Sequence, residues 1–177
     1  MKKVALIIGH NEKSKGSCSP CLNIYEFDYW KDIANGIKSE IDVDVFTREY
    51  NKSYTTEMKQ VIDQVHNSGV YDLVIELHFN AVTDSEVHGA ELLVYKNSKC
   101  LDLSKVLLNS ICQEFNVKNR GLKRIQSVAE RGGFGIVRCK YPYILIEPFF
   151  GTNPKDSEKF SNKEKVVKFF VDFIKNM

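Results

Sequence analysis

The sequence has no hydrophobic run long enough to cross a membrane, because no stretch approaches the roughly 20 apolar residues that a membrane helix needs. The apolar run near its start, Val4–Ile8, is shorter than the roughly 7–15 residues that form the core of a signal peptide. We therefore expect synthesis in the cytoplasm without an export signal, and no insertion into a membrane.

The sequence also lacks an excess of charge of either sign and a regular set of cysteines. Its net charge of +2 is too small to indicate nucleic-acid binding. Its five cysteines are an odd number, in a chain long enough to fold without disulfides. Cys18 and Cys21 form a single short-spaced pair, whereas a four-cysteine zinc site needs two such pairs. We interpret all five as reduced thiols, with a redox role for this pair as the alternative.

The residues that are present suit one compact domain. Apolar residues make up 43% of the 177-residue chain and aromatic residues 11%, which is enough for a sizeable core. No internal repeat, low-complexity tract or linker divides the sequence. We therefore expect a single domain over residues 1–177.

Apolar runs typical of buried strands alternate with segments of helical spacing. The predicted strands are Val4–Ile8, Val43–Phe46, Leu73–His78, Gly89–Tyr95 and Tyr143–Phe149. The predicted helices are Asn23–Lys38, Thr55–Asn67, Leu101–Phe115 and Lys163–Lys175. This alternation predicts an α/β fold with a twisted, mostly parallel or mixed sheet of about six strands, flanked by helices on both faces.

Titratable side chains stand where three of the predicted strands end. His10 follows the first strand, His78 ends the third, and Glu147 ends the Ile144–Ile146 run. Because ligands bind beyond the carboxyl ends of strands in open α/β sheets, we expect these side chains to converge. Glu26 opens the helix after the first strand and lies on the same face of that helix as its apolar residues, so its carboxylate points toward the sheet.

Two imidazoles and a carboxylate are a common catalytic zinc set, and a further carboxylate can take the proton of a zinc-bound water. His10, Glu26 and His78 are thus candidate ligands for one zinc ion, and Glu147 is the candidate catalytic carboxylate. Each residue has a structural alternative. Glu26 can complete a capping box with Asn23, His78 can be a hydrogen-bonded core histidine, and the other two can be ordinary loop and strand-end residues. The pattern alone leaves both interpretations open.

At these residues the sequence resembles the zinc-dependent N-acetylmuramoyl-L-alanine amidases of bacteria and their phages, over nearly the whole chain. The segments that carry the resemblance are Ile7–Asn11, Asn23–Glu26, Glu76–Ala81, Gly89–Glu91 and Ile144–Pro154. The resemblance implies that His10, Glu26 and His78 bind zinc and that Glu147 is catalytic. The sequence departs from the family pattern at Ile8 (usually acidic or similar), Asn11 (usually glycine) and Glu76 (usually a small residue). No ligand is lost.

Enzymes of this family cut the amide bond between the lactyl group of N-acetylmuramic acid and L-alanine of the stem peptide. The resemblance therefore implies peptidoglycan as the substrate and cell-wall lysis as the function. Together with the missing export signal, it suggests a phage or prophage endolysin that another agent releases to the wall. Endolysins often carry a separate wall-binding domain, and none is visible here, so we expect a catalytic domain alone. The alternatives are a zinc carboxypeptidase-like peptide hydrolase and a non-catalytic wall-binding module.

Two further residues are predicted to contact substrate. Asn80 lies two residues after His78, on the same side of the strand, and is expected to orient the substrate. Arg131 stands beside Gly132 and Gly133, which predict a loop. We expect it to contact a carboxylate of the peptide, and a solvated loop arginine is the alternative.

Overall fold

The computed structural model describes residues 2–177, in which strands and helices alternate along the chain. The elements are β1 Val4–Ile8, β2 Cys18–Ser19, β3 Ile24–Tyr25, α1 Glu26–Glu40, β4 Val43–Thr47, α2 Tyr54–Ser68, β5 Leu73–Leu77, β6 Ala90–Tyr95, α3 Leu101–Glu114, β7 Asn119–Ile125, α4 Gly133–Arg138, β8 Tyr143–Glu147, α5 Pro154–Lys159 and α6 Lys163–Lys175. Within residues 2–177, no helix combines the length and apolar character that a membrane span requires.

Six strands form one mixed sheet in the order β4-β1-β5-β8-β6-β7. Neighbouring strands are parallel except β6 and β8, which are antiparallel. The predicted α/β fold and strand number are confirmed. Because β1, β5 and β8 are adjacent and parallel, their carboxyl ends lie side by side at one edge of the sheet. That edge is where His10, His78 and Glu147 were expected.

The sheet separates two apolar layers, with helices on both faces. One layer joins α1, α3 and α6 to strand residues such as Leu6, Leu77 and Ile146. The other joins α2 and α4 to Ile7 and Leu145. Side chains alternate between the faces along each strand. In β5, Ile75 and Leu77 belong to the first layer. Glu76 lies between them in the chain and therefore faces the opposite side of the sheet, toward α2 and α4.

The first helix begins later than predicted, since residues 24–25 pair with residues 18–19 as a short hairpin of β2 and β3. This hairpin leads directly into α1, so the pairing fixes where Glu26 begins the helix. Cys18 and Cys21 lie in this region as free, exposed thiols. The hairpin was not recognisable from the sequence because two-residue strands leave no periodic pattern.

Two elements near the sheet edge differ from expectation. β7 is mostly polar and forms the outer strand of the sheet, so it lacks the apolar run that marks a buried strand. The loop predicted at Gly132 and Gly133 is only partly present, because Gly133 is the first residue of α4. Gly132 takes a left-handed backbone conformation with φ of 67°. Glycine adopts that conformation without steric cost, and it turns the chain into the helix.

Candidate metal centre and active site

Two histidines and a glutamate converge at the end of the sheet where β1, β5 and β8 have their carboxyl ends. His10 Nε2 lies 3.1 Å from Glu26 Oε2, and His78 Nδ1 lies 2.7 Å from Glu26 Oε1. One potential ligand atom from each residue lies within 4.8 Å of the other two. Zinc bonds of about 2.0–2.2 Å in a tetrahedron separate the ligand atoms by roughly 3.3–3.6 Å. Both the donor types and their spacing therefore fit a zinc ion.

Glu26 is buried and fixed from several directions. The backbone N–H of Phe79 donates to Glu26 Oε1 at 3.1 Å, and the N–H of Ser17 approaches Oε2 at 3.5 Å. Burial raises the pKa of Glu26, but hydrogen bonds with His10 and His78 outweigh it and lower the pKa to about 2. The carboxylate does not complete a capping box, since α1 has Tyr25 as its N-cap without a side-chain capping bond. Its partners are the two histidines instead.

His10 has a left-handed backbone conformation with φ of 65°. Such a conformation is strained for a residue other than glycine and persists only where its surroundings hold it. Here Arg48 Nε donates to the carbonyl of His10 at 3.3 Å, and the side chain of Asn11 accepts from the N–H of Ser14 at 2.8 Å. The amide of Asn11 donates in turn to Glu57 at 3.0 Å. This buried polar network fixes the turn that presents His10.

His78 lies between two carboxylates. Its Nδ1 faces Glu26, and its Nε2 lies 3.1 Å from Glu76 Oε1. Burial lowers the pKa of His78, but hydrogen bonds with Glu26 and Glu76 outweigh it and raise the pKa to about 10. A protonated imidazole cannot bind a metal, so metal uptake at this site releases a proton.

Glu147 lies at the end of β8 on the floor of the same cleft and is only 6% exposed. Burial raises its pKa to about 7, and the positive charge of Arg131 opposes that rise. A carboxyl group that titrates near neutral pH can both accept and donate a proton during a reaction. Glu147 and Glu26 thus share one site with pKa values driven far apart by their partners.

Asn80 and Arg131 both reach the site, where they contact each other. Arg131 donates to Asn80 Oδ1 at 3.2 Å and pairs with Glu91 Oε1, and its Nη1 lies 3.7 Å from Glu147. Glu91 is the cross-strand partner of Glu147 and also accepts from Arg120 at 3.1 Å. Arg131 therefore contacts the site from the turn that precedes α4.

The site opens into a cleft of about 830 Å³. His10, Glu26, His78 and Glu147 line it, together with residues from the segments 48–55 and 128–134. Two tyrosines of the first segment, Tyr50 and Tyr54, are about half exposed. A cleft of this size accommodates a sizeable part of an extended substrate.

Several residues that shape the site were not predicted to do so. Glu76 and Glu91 are buried acids inside otherwise apolar strands, and a buried charge requires a partner. That interruption of the apolar pattern is the signal that would have pointed to them. Arg48 and Glu57 carry no comparable signal, because charged residues in a loop and in the first turn of a helix are ordinary on a protein surface.

The mixed α/β sheet gathers in one cleft a trio that could hold a metal ion and a buried carboxyl group of raised pKa, and this combination is typical of hydrolytic active sites. Residues 4–175 match the family model described as N-acetylmuramoyl-L-alanine amidase (Amidase_3). The chain belongs to this family and is an amidase that acts on peptidoglycan.

Solved structures of amidases share the fold over almost the whole chain. The catalytic domain of the CD27L endolysin targeting Clostridia difficile is 28% identical, with a TM-score of 0.75 over 99% of this chain and 98% of that one. An N-acetylmuramoyl-L-alanine amidase from Clostridium difficile 630 is 20% identical, with a TM-score of 0.76 over 99% and 95%. AmiC2 of Nostoc punctiforme is 18% identical, with a TM-score of 0.75 over 99% and 96%. A comparison with curated proteins finds no match.

Proposed function

We propose that this chain is a zinc-dependent amidase that cuts the bond between the lactyl group of N-acetylmuramic acid and L-alanine of the stem peptide. The observation that carries the proposal is the meeting of His10, Glu26 and His78 beside Glu147 in an open cleft, in a chain of the amidase family. We further propose that residues 1–177 form one catalytic domain.

Zinc is held in this proposal by His10, Glu26 and His78. When bound, zinc supplies a Lewis acid that polarises the amide carbonyl and makes a neighbouring water more acidic. The low pKa of Glu26 keeps that carboxylate ionised and ready for a cation near neutral pH. The backbone bond from Phe79 and the fixed turn at His10 hold two of the ligands before the metal arrives, which lowers the cost of binding it.

Glu147 moves the protons. Hydrolysis adds water to the lactyl carbonyl, forms a carbon–oxygen bond and breaks the carbon–nitrogen bond to alanine. Glu147 accepts a proton from the attacking water and delivers one to the departing alanine nitrogen. Its pKa of about 7 suits both transfers, because neither protonation state is strongly favoured near neutral pH.

Asn80 and Arg131 are assigned to substrate binding. We propose that Asn80 orients the substrate beside the trio and that Arg131 meets a carboxylate of the stem peptide. The Arg131 side chain is 55% exposed although it pairs with Glu91, so one side of its guanidinium group still faces the cleft. Arginine is well suited to this contact, since its planar group matches a carboxylate in geometry and charge.

We propose an endolysin role for the chain, in which it reaches the wall after release by another agent. The likeness to the catalytic domain of an endolysin supports this role. A separate wall-binding domain on a longer protein is compatible with it.

Digestion of purified peptidoglycan tests the proposed bond. An amidase exposes new alanine amino groups without creating new reducing sugar ends. A carboxypeptidase would instead release free amino acids from the carboxyl end of the stem, and a wall-binding module would sediment with the wall and release nothing. Either of these results would overturn the proposed function.

A further inference from the structure

Glu76 is a buried carboxylate in a strand whose other residues are all apolar. It lies in the middle of β5, is 1% exposed, and has apolar neighbours on both sides in the chain, Ile75 and Leu77. Removing a carboxylate from water costs several kcal/mol unless hydrogen-bonding partners replace the water. The presence of this side chain therefore needs an explanation in the groups that it touches.

Glu76 has two side-chain partners. Its Oε1 lies 3.1 Å from His78 Nε2, and its Oε2 accepts a hydrogen bond of 2.7 Å from the hydroxyl of Tyr143. Tyr143 is the first residue of β8, the strand beside β5, and is itself buried. Each carboxylate oxygen thus has one partner.

This contact bears on which nitrogen of His78 carries the hydrogen. Both ring nitrogens face a carboxylate, Nδ1 that of Glu26 at 2.7 Å and Nε2 that of Glu76 at 3.1 Å. A carboxylate can only accept hydrogen bonds, so a neutral imidazole donates to one of the two and not to the other. Because Glu26 belongs to the metal-binding group, a metal between Nδ1 and Glu26 would leave the hydrogen on Nε2, facing Glu76. Glu76 itself is not one of the three residues grouped as metal ligands within residues 2–177, because it contacts the far side of the ring.

We propose that Glu76 is a positioning residue that fixes the ring orientation and the tautomer of His78 for zinc. The inference rests on the zinc site proposed above. Carboxylates that accept from the outer nitrogen of a metal-bound histidine orient the ring and increase its basicity. A small residue, which the family pattern has at this position, does not reach the ring.

The zinc affinity of Glu76→Gln tests the inference. The substitution keeps the size of the side chain but removes the charge, and it should weaken zinc binding about 10–100-fold, the range typical for loss of such a partner. Affinity is measured by competition with a chromogenic chelator, independently of activity. Tyr143→Phe is the matched control, because it disturbs the same buried cluster and leaves the carboxylate against His78. Its zinc affinity should stay within a few fold of the wild type.

Equal zinc affinity of the wild type and Glu76→Gln would overturn the inference and leave the proposed zinc site standing. Equal weakening in both variants would also overturn it, since that result reports general disturbance of the core. Failure of the wild type to bind zinc would overturn the proposed site and the inference together.

A second measurement needs no variant and decides the matter if Glu76→Gln does not fold. Nitrogen-15 NMR of the zinc-loaded wild type reports which imidazole nitrogen of His78 carries hydrogen. The inference predicts metal on Nδ1 and hydrogen on Nε2. Metal on Nε2 would contradict it.

Discussion

Buried acidic side chains at the sheet edge differ in character because their partners differ. Glu26 lies between two imidazoles and has a pKa of about 2, whereas burial raises the pKa of Glu147 to about 7. One residue type thus provides a group that is ionised near neutral pH and a group that titrates there, within a single cleft. The difference comes from burial and neighbours and cannot be read from the residue type.

Replacing Glu147 with glutamine should abolish most hydrolysis and leave metal binding intact. The amide cannot take a proton from water, and the loss of a general base typically costs about 10²–10⁴-fold in rate. The rate of amino-group release from peptidoglycan and the zinc content should be measured on the same sample. Glu130→Gln is the control, since Glu130 lines the cleft but is exposed. Full activity of Glu147→Gln would remove Glu147 from the mechanism.

Replacing Arg131 with methionine should move the acidic limb of the pH–rate profile to higher pH. The Arg131 cation favours the ionised form of Glu147 and so holds its pKa down. Without that charge the pKa rises further, and Glu147 is protonated, and inactive as a base, at pH values where the wild type works. The rate should therefore fall severalfold more at pH 6 than at pH 8.

Arg120→Met is the matched control for this shift. Arg120 pairs with the same Glu91, and its charge is not among the leading influences on the pKa of Glu147. Its profile should keep the wild-type position. An unmoved profile in Arg131→Met would show that the charge of Arg131 does not act on the catalytic carboxyl group.

The sequence predicted which residues converge at this end of the sheet better than it predicted the partners of these residues. His10, Glu26, His78 and Glu147 were recognisable because each interrupts or follows an apolar segment at an element boundary. The contact between Arg48 and the carbonyl of His10 was not recognisable from the sequence, because the two residues lie 38 positions apart. Such pairings depend on the packing of loops, for which a single sequence has no periodic signal.

At the scale of elements, the strands of the sheet interior and the long helices were predictable because their apolar spacing is regular. The predicted helix Lys163–Lys175 agrees with α6 residue for residue. The polar outer strand β7 and the short helices α4 and α5 were not predicted. Their short length or exposed position leaves too few apolar residues to set a period.

The packing of α1 on α6 supports the helix that begins with Glu26, and Gly36 lies at this contact. A β-carbon at Gly36 would lie 2.7 Å from Val167 Cγ2. Gly36→Ala should therefore lower the free energy of unfolding by about 1–3 kcal/mol through overpacking, although alanine is normally favoured over glycine in a helix by about 1 kcal/mol.

Urea denaturation measures this effect, and a double-mutant cycle isolates its cause. In a Val167→Ala background, which removes the clashing methyl groups, Gly36→Ala should be neutral or stabilising. Stabilisation by Gly36→Ala with Val167 intact would show that the two helices separate at little cost.

For the whole molecule, the strand order is what turns four distant sequence segments into one site. Adjacent parallel strands β1, β5 and β8 place their ends together, and α1 returns Glu26 to the same edge. The rule that ligands bind beyond the carboxyl ends of strands was enough to predict that these side chains converge. The order of the strands was not predicted. The antiparallel pairing of β6 with β8 was not predictable, yet it sets Glu91 opposite Glu147.

We propose that His10, Glu26 and His78 hold one zinc ion beside Glu147. Anomalous scattering at the zinc absorption edge, from a crystal of the zinc-loaded protein, locates the ion. We expect one anomalous peak within bonding distance of all three side chains, with Glu147 close by but not required to hold the ion. A peak at another place in the molecule, or none at this trio after zinc is supplied, would contradict it.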